Sequence, residues 1–179
     1  MQNGSTDIQQ TLTQAIDQAS DLHTALDNVL SIICEFTGWD YGEAWIPFKE
    51  GRILELHPVC YISPHRSDAD RYALEQFRNC TKGLTFPYNV GLPGRVWASQ
   101  RIEWLNNPAS QSERIFLRHH IAKAFGVKTG FGVPVLAGDR VLAVLAFFML
   151  DSPMEDKGLT ELISTLTNQI GNKLENFHL

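Results

Sequence analysis

The spacing of apolar residues changes along the chain, and each change marks an element. Between residues 6 and 19, Ile8, Leu12, Ala15, Ile16 and Ala19 recur at helical spacing as a narrow stripe. Ser20 and Asp21 are good helix caps, and beyond them Leu22, Ala25, Leu26, Val29, Leu30, Ile33 and Phe36 form a wider stripe. That width predicts a helix packed on a core, with Gly38 as its stop. The pattern then becomes strand-like. YGEAWIPF (41–48) is rich in aromatics, and its Pro47 predicts an edge position or a strand end. KEGR (49–52) reads as a turn, and ILELHPVCYI (53–62) as the hairpin partner. Residues 68–79 predict a helix whose apolar members are Tyr72, Leu74 and Phe77. The irregular CTKGLTFPYN leaves room for a short strand.

The second half opens with GLPGRVWASQRIEWLNN (91–107). Gly91 and Gly94 permit backbone angles that other residues resist, and Pro93 fixes a turn between them. The pattern predicts a bend, a short helix from Arg95, and a short strand over 101–105. SERIFLRHHIAKAF (112–125) reads as one helix with Ser112 as cap and Gly126 as stop. Residues 127–138 and 140–150 form the clearest hairpin, turning at Ala137-Gly138-Asp139. The second strand is apolar on both faces, so it is expected at the centre of a sheet. Leu159, Leu162, Ile163, Leu166, Ile170, Leu174 and Phe177 then make one helical face. This order defines an α+β fold with an antiparallel sheet and terminal helices packed together.

Composition narrows the function classes. The chain has 179 residues, 44% hydrophobic and 20% charged, which fits one globular domain with an ample core. The net charge is −5 with both signs interspersed, so no nucleic-acid surface is expected. No run approaches the ~18 apolar residues of a membrane span. MQNGSTDIQQ lacks the basic and apolar regions of a secretory leader, so a cytoplasmic protein without membrane partners is expected. Cys34, Cys60 and Cys80 lack C-x-x-C spacing and read as reduced thiols.

Four segments together resemble the GAF family of sensory domains: LHTALDNVLSIICEFTGWDYGEAWI running into the first strand, GLPGRVWASQRIEWLNN, the hairpin FGVKTGFGVPVLAGDRVLAVLAFFM, and the last helix from near Glu155. The resemblance divides the chain into an N-terminal helical extension, 1–20, and a GAF-like domain, 21–179. It implies a central antiparallel sheet with terminal helices on one face and a pocket of loops and short helices on the other. A non-catalytic sensory role is implied, with a small-molecule ligand. Terminal helices would form a homodimer and relay the signal to an output domain such as a sensor histidine kinase of a two-component system or a cyclase.

Ligand chemistry is only partly constrained. Bilin-binding GAF proteins carry a Cys-His pair early in the helix before the final hairpin; here that helix has His119 and His120 but no cysteine, which disfavours a covalent bilin. Haem held by one histidine remains open, since neighbouring helical residues point about 100° apart and only one can face a pocket. The grouped cysteines of free methionine sulfoxide reductases, another GAF enzyme, have no counterpart after Cys80, though a thiol sensor at Cys60 or Cys80 remains open. No metal site is expected. Aromatic density gives the pocket candidates: Trp45, Phe86, Tyr88, Trp97, Trp104, Phe116 and Phe131, with His120 and the strand carboxylate Glu43, which could bind a ligand amine. The competing reading is a structural dimerisation module with a vestigial pocket.

Overall fold

In a computed structural model of the chain, residues 2–177 are described. The elements run α1 (Gln2–Asp17), α2 (Leu22–Thr37), β1 (Tyr41–Phe48), β2 (Ile53–Ile62), α3 (Asp68–Thr81), β3 (Thr85–Pro87), α4 (Gly91–Ser99), β4 (Glu103–Asn106), α5 (His119–Phe125), β5 (Thr129–Ala137), β6 (Arg140–Met149) and α6 (Lys157–Leu174). The caps act as the sequence predicts. The Asp21 carboxylate accepts from the Thr24 amide at 2.8 Å, and Gly38 ends α2 at φ 75°. At α6 the Asp156 carboxylate accepts from Leu159.

Six antiparallel strands form one sheet in the order β3-β2-β1-β6-β5-β4. β6 lies at its centre and is buried on both faces, as its unbroken apolar run requires. Strand alternation sorts the core into two halves. Phe131, Val133, Leu145 and Phe147 face α1, α2 and α6. Tyr41, Trp45, Val144, Ala146 and Phe148 face the opposite side, where α3, α4 and α5 lie. Ile8, Leu12 and Ile16 of α1 are buried in the first half together with Ile163, Leu166 and Ile170 of α6. The stripes of the two terminal helices therefore cover this chain's own sheet and each other.

Three details differ from the sequence pattern. Tyr72 is 64% exposed; α3 buries Leu74, Phe77 and Arg78 instead. The Gly-Pro-Gly stretch is not a bend ahead of α4 but its first turn. Proline is accepted there because first-turn amides have no intrahelical partner. Gly91 has φ 67°, and a Cβ on it would lie 2.5 Å from the Phe86 ring. A Cβ on Gly94 would lie 2.5 Å from the Pro87 carbonyl oxygen, so both glycines let α4 press against β3. Lastly, 112–125 is not one helix: α5 is helical only from His119, and turns occupy 112–118. Phe116 and Arg118, two residues apart, are both buried on the same side, which a continuous helix would place about 200° apart.

α6 lies so close to β5 that a Cβ on Gly171 would fall 1.7 Å from the Leu136 carbonyl oxygen. Gly171→Ala is expected to lower unfolding free energy by about 1–3 kcal/mol or more, because backbone must shift. Gly158→Ala on the same helix meets only the Asp156 carboxylate, at 3.4 Å, and should be neutral or slightly stabilising. Urea unfolding of the two variants checks the contrast.

Candidate functional site

The α3–α5 side of the sheet encloses a charge pair. Tyr41, Glu43 and Trp45 alternate onto this face of β1. The Glu43 carboxylate accepts from the Tyr41 hydroxyl at Oε2 and from the Trp45 indole N–H at Oε1, both at 2.8 Å. Nη2 of Arg118 lies 2.7 Å from Oε1, and both side chains are 0% exposed. The distance is that of a close ion pair, but no guanidinium N–H at Nη2 is aligned with an acceptor. Nη1 reaches the Thr81 hydroxyl at 3.3 Å, while Nε has no acceptor beside it.

Five rings surround the Arg118 guanidinium: Trp45, Phe77, Phe86, Phe116 and Phe148, with centroids 4.9–5.6 Å from Cζ. Ring faces attract a desolvated cation by about 2 kcal/mol or more. They help to offset a burial penalty of several kcal/mol per ion. Burial, with the Glu43 charge as a second cause, pushes the Tyr41 phenol well above its ordinary pKa, so it stays a donor to Glu43. A second buried arginine, Arg78 of α3, donates from Nη2 to the carbonyls of His57, Pro58 and Val59. Its Nη1 has no partner.

Of the sequence candidates, Glu43, Trp45, Phe86 and Phe116 meet in this chamber. The others do not join them. Trp104 and Phe131 sit on the opposite face of the sheet, where Phe131 packs on Trp39 and Phe147. The period of two along β5 sends Phe131 to the helical layer. Trp97 stacks edge-on with the exposed Tyr88, and both line an open cleft of about 740 Å³ with Phe48 and Arg140. His120 is exposed and lies against His119, with ring centroids 3.8 Å apart. Among the described residues no group of three or more His, Cys, Asp or Glu is placed to hold a metal ion.

Arg118, Tyr41, Phe77 and Phe148 belong to the chamber without having been singled out in the sequence. Reading 112–125 as one helix with Phe116 inward sends Arg118 to solvent. The sequence carried no signal for Arg118, because the turns over 112–118 that turn it inward leave no mark in the residue spacing. Cys60 pairs with Glu43 across β1 and β2 and so shares its face. Burial pushes the Cys60 thiol up, Arg78 opposes this, and the net shift is upward. Cys34 is buried beneath the helical layer with its thiol pushed well up by burial, and Cys80 is exposed.

A further polar contact joins the two sides of the sheet. Arg66, immediately before the Ser67 cap of α3, donates from Nε and Nη2 to the Asp40 carboxylate at 2.7 and 3.0 Å, and from Nη2 to Asp151. Asp40 is buried and also accepts from the Leu150 amide at 2.9 Å. Asp151 belongs to the connection between β6 and α6. Asp40, Arg66 and Asp151 line a cleft of about 280 Å³ with Trp39 and Trp104.

A curled antiparallel sheet with terminal helices on one face and short helices on the other defines an α+β domain. Residues 6–175 match the family model described as GAF domain, and the chain belongs to that family. Solved structures agree on the fold. The GAF domain of a phosphoenolpyruvate-protein phosphotransferase from Acinetobacter is 18% identical with a TM-score of 0.72, over 97% of this chain and 94% of that one. The corresponding domain from Coxiella burnetii is 17% identical with a TM-score of 0.73, over the same shares. A free methionine-R-sulfoxide reductase from Neisseria meningitidis, in complex with its substrate, is 13% identical with a TM-score of 0.70, over 97% and 89%. The family is typically sensory or regulatory, and it has a catalytic branch. Among the described residues no helix is long and apolar enough to cross a membrane.

Removing one partner of a buried ion pair strands the other. Arg118→Met is expected to cost about 3–5 kcal/mol. Adding Glu43→Gln to Arg118→Met should return a substantial part of that loss. A double-mutant cycle by chemical unfolding reads the coupling, and additivity within about 0.5 kcal/mol would mean the two side chains are energetically independent.

Native thiol labelling should follow exposure: Cys80 first, Cys60 slowly, and Cys34 only on unfolding. Mass spectrometry after timed alkylation checks the order.

Proposed function

We propose that this chain is a non-catalytic sensory module that binds a small molecule in the chamber around Glu43 and Arg118 and relays occupancy through its terminal helices. The observation that carries the reading is the buried polar cluster itself: Glu43, Arg118 and Tyr41 converge among aromatic rings, on the side of the sheet away from the terminal helices. Core packing alone does not call for a charge pair with unpartnered donors. A ligand that favours one arrangement of α3 and α5 would shift the population by its differential affinity. Arg66 offers a route outward, since it adjoins α3 and holds the segment leading into α6. The output domain in this reading is a histidine kinase or a cyclase, and the setting is cytoplasmic.

The non-catalytic reading rests on the thiols. Cys60 is the cysteine on the chamber face, and a thiol pushed up by burial is a poor nucleophile. A haem reading has the exposed His120 and the half-buried His119 to draw on, and neither ring is among those around Arg118. The homodimer through the terminal helices belongs to the proposal; Ile8, Leu12, Ile163, Leu166 and Ile170 are buried in this chain, so a second copy would meet the exposed sides of those helices.

Native mass spectrometry of freshly purified protein, set beside the same sample denatured, tests this reading. A non-covalent excess mass that vanishes on denaturation is expected, together with a dimer. The adduct should be lost in Phe116→Ala if that variant remains folded by circular dichroism. A bare protein whose melting temperature no metabolite extract moves would leave the structural-module reading in its place. An adduct that survives denaturation would restore a covalent chromophore.

A further inference from the structure

Two buried arginines and one buried carboxylate lie in the α3–α5 half of the core, and Arg118 is the arginine paired with that carboxylate. Glu43 and Arg118 are 0% exposed, and Arg78 is 5% exposed. Both arginines keep a buried N–H group with no carboxylate or carbonyl beside it: Nε of Arg118, whose Nη2 is ion-paired with Glu43, and Nη1 of Arg78. Both lie close enough to Tyr41 to act on its phenol electrostatically. Such groups are rare in folded proteins, because each unmade hydrogen bond of a charged donor costs more than a neutral one.

The edge on which Nε lies is informative. Nε–H and Nη2–H form one edge of the guanidinium, the edge that takes a planar carboxylate with two parallel hydrogen bonds. Glu43 does not serve it in that way. Its oxygens already accept from Tyr41 and Trp45, and it meets Arg118 by proximity at Nη2 alone. Glu43 therefore neutralises Arg118 without filling the fork. The five rings hold the guanidinium in place and provide an apolar wall for whatever lies on that edge.

We propose that the chamber's ligand is a small organic carboxylate, bound side-on by Nε and Nη2 of Arg118 against the aromatic rings, with Glu43 as the internal competitor that holds the arginine in its absence. This rests on the chamber being the ligand site and adds the sign and shape of the ligand. It reverses the amine expected when Glu43 was read alone. Arg118 already occupies the position of a cation beside Glu43, so a cationic ligand would meet a like charge. An anion meets surplus positive charge from Arg78 and Arg118. Entry requires the rings beside Arg118 to separate, which places the conformational change at Phe116 and α5.

The test uses acetate, propionate and benzoate against their neutral isosteres acetamide, propionamide and benzamide, at constant ionic strength. Melting temperature and Trp45-dependent fluorescence are read on the full chain. The expected result is a saturable rise in melting temperature with at least one acid and none with its amide. Glu43→Gln should bind that acid at least several-fold more tightly, and Arg118→Lys, which keeps the charge but loses the fork, at least tenfold more weakly. The wild-type acid–amide comparison decides the matter even if neither variant folds. Equal or absent responses to acids and amides overturn the proposal. Methylguanidinium and propylamine, run in parallel, separate the two levels. A saturable response to either cation, or to the amides, keeps the chamber as a ligand site and rejects the carboxylate. Silence from every probe, with no native adduct, rejects both.

Discussion

A guanidinium and a carboxylate with no access to water must satisfy each other or be satisfied by what surrounds them. That constraint organises one whole side of this domain. Glu43 needs donors, and β1 supplies them from its own face two residues before and two after, Tyr41 and Trp45. Arg118 needs a polarisable lining, and four elements supply rings: β1, α3, β3 and β6, joined by Phe116 from its own segment. The break in 112–118 follows from the same need. Phe116 and Arg118 can both enter the chamber only if the chain between them is not helical. A pair of this kind contributes little net stability compared with a well-packed apolar core. Its presence is better explained by something it must do.

The architecture was legible because each element carried its own period. α2 showed a wide apolar stripe between Asp21 and Gly38, and the structure uses both as caps. β6 showed apolar residues on both faces and lies at the sheet's centre. Trp45, Phe86 and Phe116 gather around Arg118 for the same reason, since aromatics on strands and near glycine turns collect where strands meet short helices. The rest was hidden by geometry that one-dimensional spacing does not carry. Trp104 and Phe131 resembled the pocket aromatics in kind, and only the register of β4 and β5 sends them to the helical face. Arg118 was hidden because a charged residue in a helical pattern is ordinarily solvated. Tyr72 erred in the opposite direction, as an aromatic that α3 leaves in water while it buries Arg78.

The glycines at 91 and 94 show how local chemistry serves the chamber at one remove. They touch neither Glu43 nor Arg118. Their missing side chains let α4 close onto β3, and at 91 the space is taken by Phe86, one of the rings around the guanidinium. A side chain at 91 would displace that ring first. The stretch thus sets the position of one wall of the site without lining it.

How a change in the chamber reaches the terminal helices is a question about one strand. Phe147 and Phe148 are neighbours on β6, yet they lie on opposite faces of the sheet. Phe148 is the ring nearest the guanidinium, at 4.9 Å. Phe147 is 5.2 Å from Trp39, at the end of α2. Two residues further along, Leu150 donates its amide to Asp40, and the next residue, Asp151, is held by Arg66 at the start of α3. In the proposed reading, a displacement of Phe148 would pass to these contacts because a close-packed interior leaves little free volume to absorb it. The magnitude available is bounded by the charge pair. Removing one partner of a buried ion pair costs about 3–5 kcal/mol, and about 5.5 kcal/mol carries a two-state element from 1:99 to 99:1. In the proposed reading, a ligand that takes Glu43's place on Arg118 draws on energies of that order, whereas one methylene of apolar contact contributes only about 0.8 kcal/mol.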